Sequence, residues 1–496
     1  MAGQSRKWMI LVATIWIQAF TGTNFDFSAY SSEMKAVLGV SQVQLNYLAT
    51  ASDLGKAVGG SSGLALMWLP LWAVMFTAAV MGLVGYGVQW LVISNVIALP
   101  YFVVFLLCLL AGCSICWFNT VCFVLCIKNF PSNRPLALSL TVSFNGVSAA
   151  LYNLAANSLN LSTSAVYLLL NALVPLFTSI AALVPIVRQP PVDGPDPDVV
   201  KRDQFTFLKL NLLAVITGLY LLFLHPSNAL MAFFLQSSNI EGSPHGADKR
   251  CSCATVIEKD RLVMLGQEHT AKMLGHSLDF WLYYLAYFSG GTIGLVYSNN
   301  IGQIAQSLGH SLMNSKLITV YSAFSFFGRL LSAAPDFIRA KVYFARTGWL
   351  TIALLPTPIA FFVLVAFGGN PLAIQAGTAL IGLSSGFIFA AAVSITSELF
   401  GPESAGVNHN ILITNIPIGS LIYGFLAALV YDSNAVSGVG LLANSVVCMG
   451  RKCYFWTFVW WGCISLLGLA SSVLLFIRTR PAYHRFEQSR TSTMLY

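Results

Sequence analysis

Apolar stretches long enough to cross a bilayer recur from Trp8 almost to Ile477, with little chain left between them. A spanning helix needs about 20 largely apolar residues and must satisfy its backbone internally, so a chain built this way folds as a bundle of membrane helices. The candidate spans are 8–29, 43–66, 70–91, 99–126, 135–157 and 164–187, then 206–235, then 278–299, 316–334, 348–367, 372–395, 408–431 and 455–477. The expected class is an all-α polytopic membrane protein made of two pseudo-symmetric six-helix bundles. The halves are 1–187 and 278–477. A central region, 188–277, holds a Pro- and Asp-rich linker, the extra hydrophobic segment 206–235 and a polar cytoplasmic loop; 478–496 is read as a cytoplasmic tail.

Charge in such a chain reports orientation. With Arg6 and Lys7 on the cytoplasmic side, Lys128, Arg134, Arg188, Lys201, Arg202, Arg339, Lys341, Arg346, Arg478 and Arg480 fall there too, as the positive-inside tendency expects. Both termini are then cytoplasmic, in the plasma membrane or in an internal one such as the vacuolar membrane. Segment 206–235 breaks the parity, since one extra crossing would invert the second half. It is expected to be a kinked hairpin around 225–228 or to lie at the interface.

The formal charge of +8 comes without a basic cluster or nucleic-acid motif, so no nucleic-acid partner is expected. No GxxxxGK[ST] loop is present, and His and Cys residues lack metal-site spacing. No cofactor, metal or enzymatic chemistry is expected. Cys448 and Cys453 flank a polar loop and would suit a disulfide if that loop is extracytoplasmic. Asn160 opens a glycosylation acceptor close to two spans.

The halves share landmarks at a nearly constant offset of about 270 residues: Leu38-Gly39 with Leu308-Gly309, Gly55-Lys56 with Gly328-Arg329, and Phe130 with Phe400. Such repeats are a feature of transporters built from parallel halves.

Within 43–66, helical spacing puts Asn46, Thr50, Asp53, Lys56 and Gly60 on one face and Gly55, Gly59 and Gly63 on another. The glycine row suits close approach of a neighbouring helix, which turns the polar row toward an aqueous cavity. A buried charge costs at least about 2.5 kcal/mol in a membrane helix, so something must offset it. Asp53 and Lys56 can neutralise each other as a structural lock. Alternatively, Lys56 meets an anionic solute while Asp53 positions it or trades a proton. Arg329 is either a second cavity cation or a tie to Asp336 near the cytoplasmic end, and the acidic and basic residues that follow favour the tie. Tyr30, Asn145 and Asn300 are further candidates for hydrogen bonding to a solute. Asp26, Asp336 and Arg346 are candidates for coupling or gating.

Several stretches carry a more specific signal: "GTNFDFSAYSSEMKAVLGVSQVQLNYLATASDLGKAVG" (22–59), "GYGVQWLV" (85–92), "CWFNTVCFVLCIKNFPSNRPLALSLTVSFNGVSAALY" (116–152) and "SELFGPESAGVNHNILITNIPIGSLIYG" (397–424). In these the chain resembles the plant nodulin-like family of the major facilitator superfamily, whose members are often labelled nuclear fusion defective 4-like. The resemblance implies a facilitator fold. Two features depart from it: "SGLALMWLP" (62–70) lacks the superfamily's usual charge cluster after the second span, and one hydrophobic segment follows the linker where similar proteins show two.

The expected function is secondary-active or facilitative transport of a small polar, anionic (carboxylate-like) solute by alternating access, with the bilayer and protons as the other partners. Lys56 would bind the anion and Asp53 would tune or couple it. A non-transporting sensor or scaffold using loop 237–275 is the rival from another class. A metal-ion or amino-acid transporter is a third reading.

Overall fold

The computed structural model describes residues 2–23, 27–158, 163–188, 197–224, 262, 264–310, 313–338, 344–402, 404–437 and 446–494. Asp26, Asn160, and the stretch 237–261 of the polar loop lie outside the described residues.

The first half opens with α1 (Ala2–Thr21) and α2 (Phe27–Leu38), the two parts of the first span. Next come α3 (Gln42–Val58) with the short α4 (Ser61–Ala65), α5 (Leu71–Ile93), α6 (Tyr101–Asn129), α7 (Arg134–Asn145) with α8 (Ser148–Ser158), and α9 (Thr163–Val187). Then α10 (Pro197–Leu224) precedes the second half. That half comprises α11 (Ala271–His276), α12 (Leu278–Tyr287), a π turn at Phe288–Thr292, α13 (Ile293–Ser307), α14 (Asn314–Leu331), α15 (Ala334–Ile338), α16 (Arg346–Leu354) and α17 (Pro356–Phe367). It ends with α18 (Pro371–Phe400), α19 (Ala405–Ile413), α20 (Asn415–Ser433), a small antiparallel pair β1 (Val436–Ser437) and β2 (Val446–Val447), and α21 (Phe455–Met494).

Among the described residues, nine helical stretches are long and apolar enough to cross a membrane by themselves. The first span is divided between α1 and α2, the second is interrupted where Gly59 and Gly60 follow each other, and the seventh runs on through a π turn that holds Gly290 and Gly291. Adjacent glycines weaken the helix because they lose the most backbone freedom on ordering. The start of α3 is firmly set: Ser41 Oγ accepts from the amide of Gln44 at 3.2 Å while Gln44 Oε1 accepts from the amide of Ser41 at 3.0 Å, a reciprocal cap.

The halves are repeats in packing as well as in sequence. A Cβ on Gly55 would overlap the carbonyl oxygen of Leu109, and one on Gly112 that of Ser52, clamping α3 to α6. In the second half Gly328 stands in the same way against Leu383, and Gly386 against Ser325, clamping α14 to α18. Gly59 also meets α6, at Cys116, but Gly63 has no neighbour within 4 Å. The glycine row therefore stops at the α3/α4 break.

The halves meet at the end that carries the disulfide of Cys448 and Cys453. Asn46 Nδ2 donates to the Gly424 carbonyl at 2.7 Å, Gln303 Nε2 to Ser31 Oγ at 2.9 Å and Asn153 Nδ2 to the Ser315 carbonyl at 2.8 Å. Toward the opposite, basic end they part around a vestibule that both Arg134 and Glu398 line.

The extra helix α10 starts at that basic end, where Lys7 Nζ lies 2.5 Å from Asp203 Oδ2 and Phe207 packs its ring on Trp8 and Phe130. It then runs along the second half, with Gly218 against Phe326 and Phe327. The chain resumes at the basic end, where the Gly266 amide donates to the Glu398 carbonyl at 2.7 Å. The described ends thus leave the second half in the same orientation as the first. At the C-terminus α21 continues as helix to Met494, and Arg478 lies buried inside the fold, paired with Asp279 at 2.6 Å.

Candidate functional site

The site forms where the polar face of α3 turns toward the second half. Lys56 Nζ donates to Asp53 Oδ1 at 2.5 Å, and Ser420 Oγ of α20 donates to the other carboxylate oxygen. Asp53 is 1% exposed and Lys56 11%, so the carboxylate is sealed between the halves while the ammonium keeps one side open. The i,i+3 spacing makes this geometry available on one helical face. A buried carboxylate needs its charge and lone pairs met to survive away from water.

The open side of Lys56 borders a cavity of about 130 Å³ between the halves. Arg329 of α14 reaches the same cavity, donating through Nη1 to the Val142 carbonyl at 3.0 Å and to Asn145 Oδ1 at 2.9 Å. The bond to Asn145 starts a relay across three more helices. Asn145 Nδ2 donates to Gln18 Oε1 at 3.0 Å, and Gln18 Nε2 donates to Asn119 Oδ1 at 2.9 Å. His409 of α19 closes the cavity from the other side, with Nδ1 buried and without a hydrogen-bond partner. Cys116, Asn119, Phe123 and His409 also line the larger vestibule, about 510 Å³, that leads to the basic end. Among the described residues, no Asp or Glu lines the inner cavity.

The structure therefore brings Asp53, Lys56, Asn145 and Arg329 together. Arg329 is the cavity cation of the two options raised by the sequence. Asp336 instead pairs with Arg346 Nη2 at 2.7 Å, and Arg346 Nε also donates to Glu398 Oε1 at 2.9 Å. Tyr483 donates its hydroxyl to the other Glu398 oxygen at 2.9 Å, making a charged cluster at the basic end of the second half. Tyr30 and Asn300 are not in the cavity. Tyr30 packs on Phe27 with ring centroids 5.5 Å apart, and Asn300 donates to the Val296 carbonyl at 2.9 Å inside the second half. Gln18, Asn119 and Ser420 were not singled out by sequence. A lone amide in an apolar span was the available signal for the first two, but spacing within one helix cannot say which partners face it across the bundle.

With this geometry in hand, comparisons place the chain among known proteins. The nodulin-like family profile matches residues 7–239 and the profile for the C-terminal domain of NFD4 matches residues 264–485. Protein NUCLEAR FUSION DEFECTIVE 4 of Arabidopsis thaliana is 57% identical over 537 aligned positions, covering 99% of this chain and 92% of the relative. The alignment is longer than the chain, so the relative carries residues with no counterpart here. A peptide transporter, POT, in complex with sulfate superposes with a TM-score of 0.59 at 11% identity, over 97% of this chain and 95% of the other. A D-xylose-proton symporter superposes with a TM-score of 0.55 at 12% identity, over 95% and 97%. The fold is that of the major facilitator transporters, and the chain belongs to the nodulin-like family, with a nodulin-like first half and an NFD4-type second half.

Proposed function

We propose that this protein carries a small anionic solute across a membrane by alternating access, with Lys56 and Arg329 as the residues that hold the anion. The single observation that supports this most is the lining of the inner cavity: two cations from different halves and no carboxylate. A desolvated charge-assisted hydrogen bond contributes about 1.5 to 3 kcal/mol, and an anion seated here would gain such bonds from both halves at once. Bonding to both halves is what allows a solute to bias their relative position. Asp53 supplies a route to proton coupling. When the solute engages Lys56, it competes with Asp53 for the same ammonium, which links the carboxylate to solute binding. The cluster of Asp336, Arg346 and Glu398 is the gating element of the basic end in this reading. That end faces the cytoplasm, because the cationic loops gather there.

The test is uptake into proteoliposomes of small carboxylates, nitrate, amino acids and divalent metal ions, with and without an imposed proton gradient. Saturable anion uptake that Arg329→Gln and the paired change of Asp53→Leu with Lys56→Met both abolish, in variants that still fold, is the expected result. Uptake of cations or amino acids in preference to anions would overturn the reading.

A further inference from the structure

The relay that begins at Arg329 has a direction, and the direction decides what the cavity can bind. A guanidinium donates and never accepts, so the oxygen of Asn145 must face Arg329 and its amide nitrogen must face Gln18. Gln18 is then obliged to present its oxygen to Asn145 and its nitrogen to Asn119. Every carbonyl oxygen in the chain is occupied by a donor of the preceding residue. What remains at the far end is the amide nitrogen of Asn119, whose side chain borders the cavity.

The charged groups around the cavity share this polarity. Lys56 and Arg329 are donors only. Tyr287 and His409 also line it as groups that can each donate or accept. The carboxylate of Asp53 is spent on Lys56 and Ser420. We infer that the site is a donor-rich cavity without an anionic acceptor that selects solutes whose polar groups can all accept hydrogen bonds, and that Gln18 and Asn119 contribute to this selectivity by holding the last amide nitrogen toward the solute. The inference rests on the anion reading above and narrows it: a carboxylate fits, whereas an ammonium group on the same skeleton finds no anionic partner among the lining groups. Gln18 is a positioning residue that acts through Asn119.

Propionate, lactate and alanine test this, because they share a carboxylate on three carbons and differ in carrying hydrogen, hydroxyl or ammonium at the second. Calorimetric titration of the full chain in nanodiscs should show propionate and lactate binding at least tenfold tighter than alanine. Asn119→Leu removes the donor and should weaken the two anions several-fold. Gln18→Met frees Asn119 to turn its oxygen inward, so the penalty against alanine should shrink at least threefold. Loosened packing alone would lower all three affinities together and leave their ratio unchanged. If Gln18→Met fails to fold, Gln18→Asn, too short to reach Asn119, serves the same purpose. Equal binding of propionate and alanine by wild type, or an unchanged ratio in the Gln18 variant, overturns the inference. Should propionate binding still vanish in Arg329→Gln, the anion reading survives that failure. If wild type binds neither these carboxylates nor nitrate, the two fall together.

Discussion

Lys56 and Arg329 stand at equivalent places in the two halves: each follows a glycine that lies on a leucine carbonyl of the neighbouring helix, Gly55 on Leu109 and Gly328 on Leu383. The glycine draws the two helices together on one side, and the next residue, about 100° further round, is left facing the cavity. Duplication therefore delivers two cations to one site, one from each half. The close contact and the cavity-facing charge are consecutive features of one motif.

That motif predicts that Gly55→Ala and Gly328→Ala are both destabilising. The added Cβ would meet a backbone carbonyl that no rotamer change can move, and overpacking of a tight core costs about 1 to 3 kcal/mol. Gly63→Ala, with open space around it, should be neutral. Apparent melting midpoints in detergent separate the cases, and equal midpoints for all three variants would contradict the packing account.

The ion pair itself predicts an asymmetric pair of variants. Lys56→Met leaves Asp53 charged and buried without its counter-ion, a change that costs about 3 to 5 kcal/mol when a buried pair is broken. Asp53→Leu together with Lys56→Met removes both charges and should recover most of the lost stability. Anion binding should be absent from both. A double variant that is stable and still binds anions would make the pair a lock with no part in transport.

Much of this was legible from residue order. The apolar spans, the repeat offset joining Gly55-Lys56 to Gly328-Arg329, and the polar face of α3 follow from periodicities that one helix imposes on its own side chains. The relay of Asn145, Gln18 and Asn119 was not legible, because it joins three helices whose mutual rotation only the packed bundle fixes. Arg329 illustrates the boundary. Its neighbours in sequence, Asp336 among them, suggested a local tie, but α14 ends at Leu331 and the chain turns before Asp336, so the two side chains go to different sites. Arg478 shows the same boundary, since a cation at the end of an apolar run reports its side of the membrane but not that a carboxylate waits for it inside the fold.

At the basic end, Arg346 holds Asp336 and Glu398 at once. A double-mutant cycle between Arg346→Ala and Glu398→Ala should give a coupling of about 1 kcal/mol, modest because Glu398 is partly exposed and exposed pairs are screened. Arg346→Lys should behave nearly as Arg346→Ala, because an ammonium cannot span two carboxylates as the planar fork does. Full retention of the coupling by lysine would show that charge alone, without the fork geometry, sustains the cluster.

The most severe single effect is expected away from the cavity, at Arg478 and Asp279, both fully buried. Arg478 Nε donates to one carboxylate oxygen at 2.6 Å, while the Leu262 amide donates to the other at 3.3 Å. Asp279 thus fixes the start of the second half to its last helix. Arg478→Met strands a carboxylate in the core and should cost about 3 to 5 kcal/mol, enough to abolish folded protein in the membrane. Combining it with Asp279→Asn removes the stranded charge, retains an oxygen for the Leu262 amide, and should restore a measurable folded fraction. Expression and size-exclusion profiles read the outcome directly: a single variant as well behaved as wild type would mean that water or another group already compensates Asp279, whereas rescue by the second change would assign the loss to the unpaired charge.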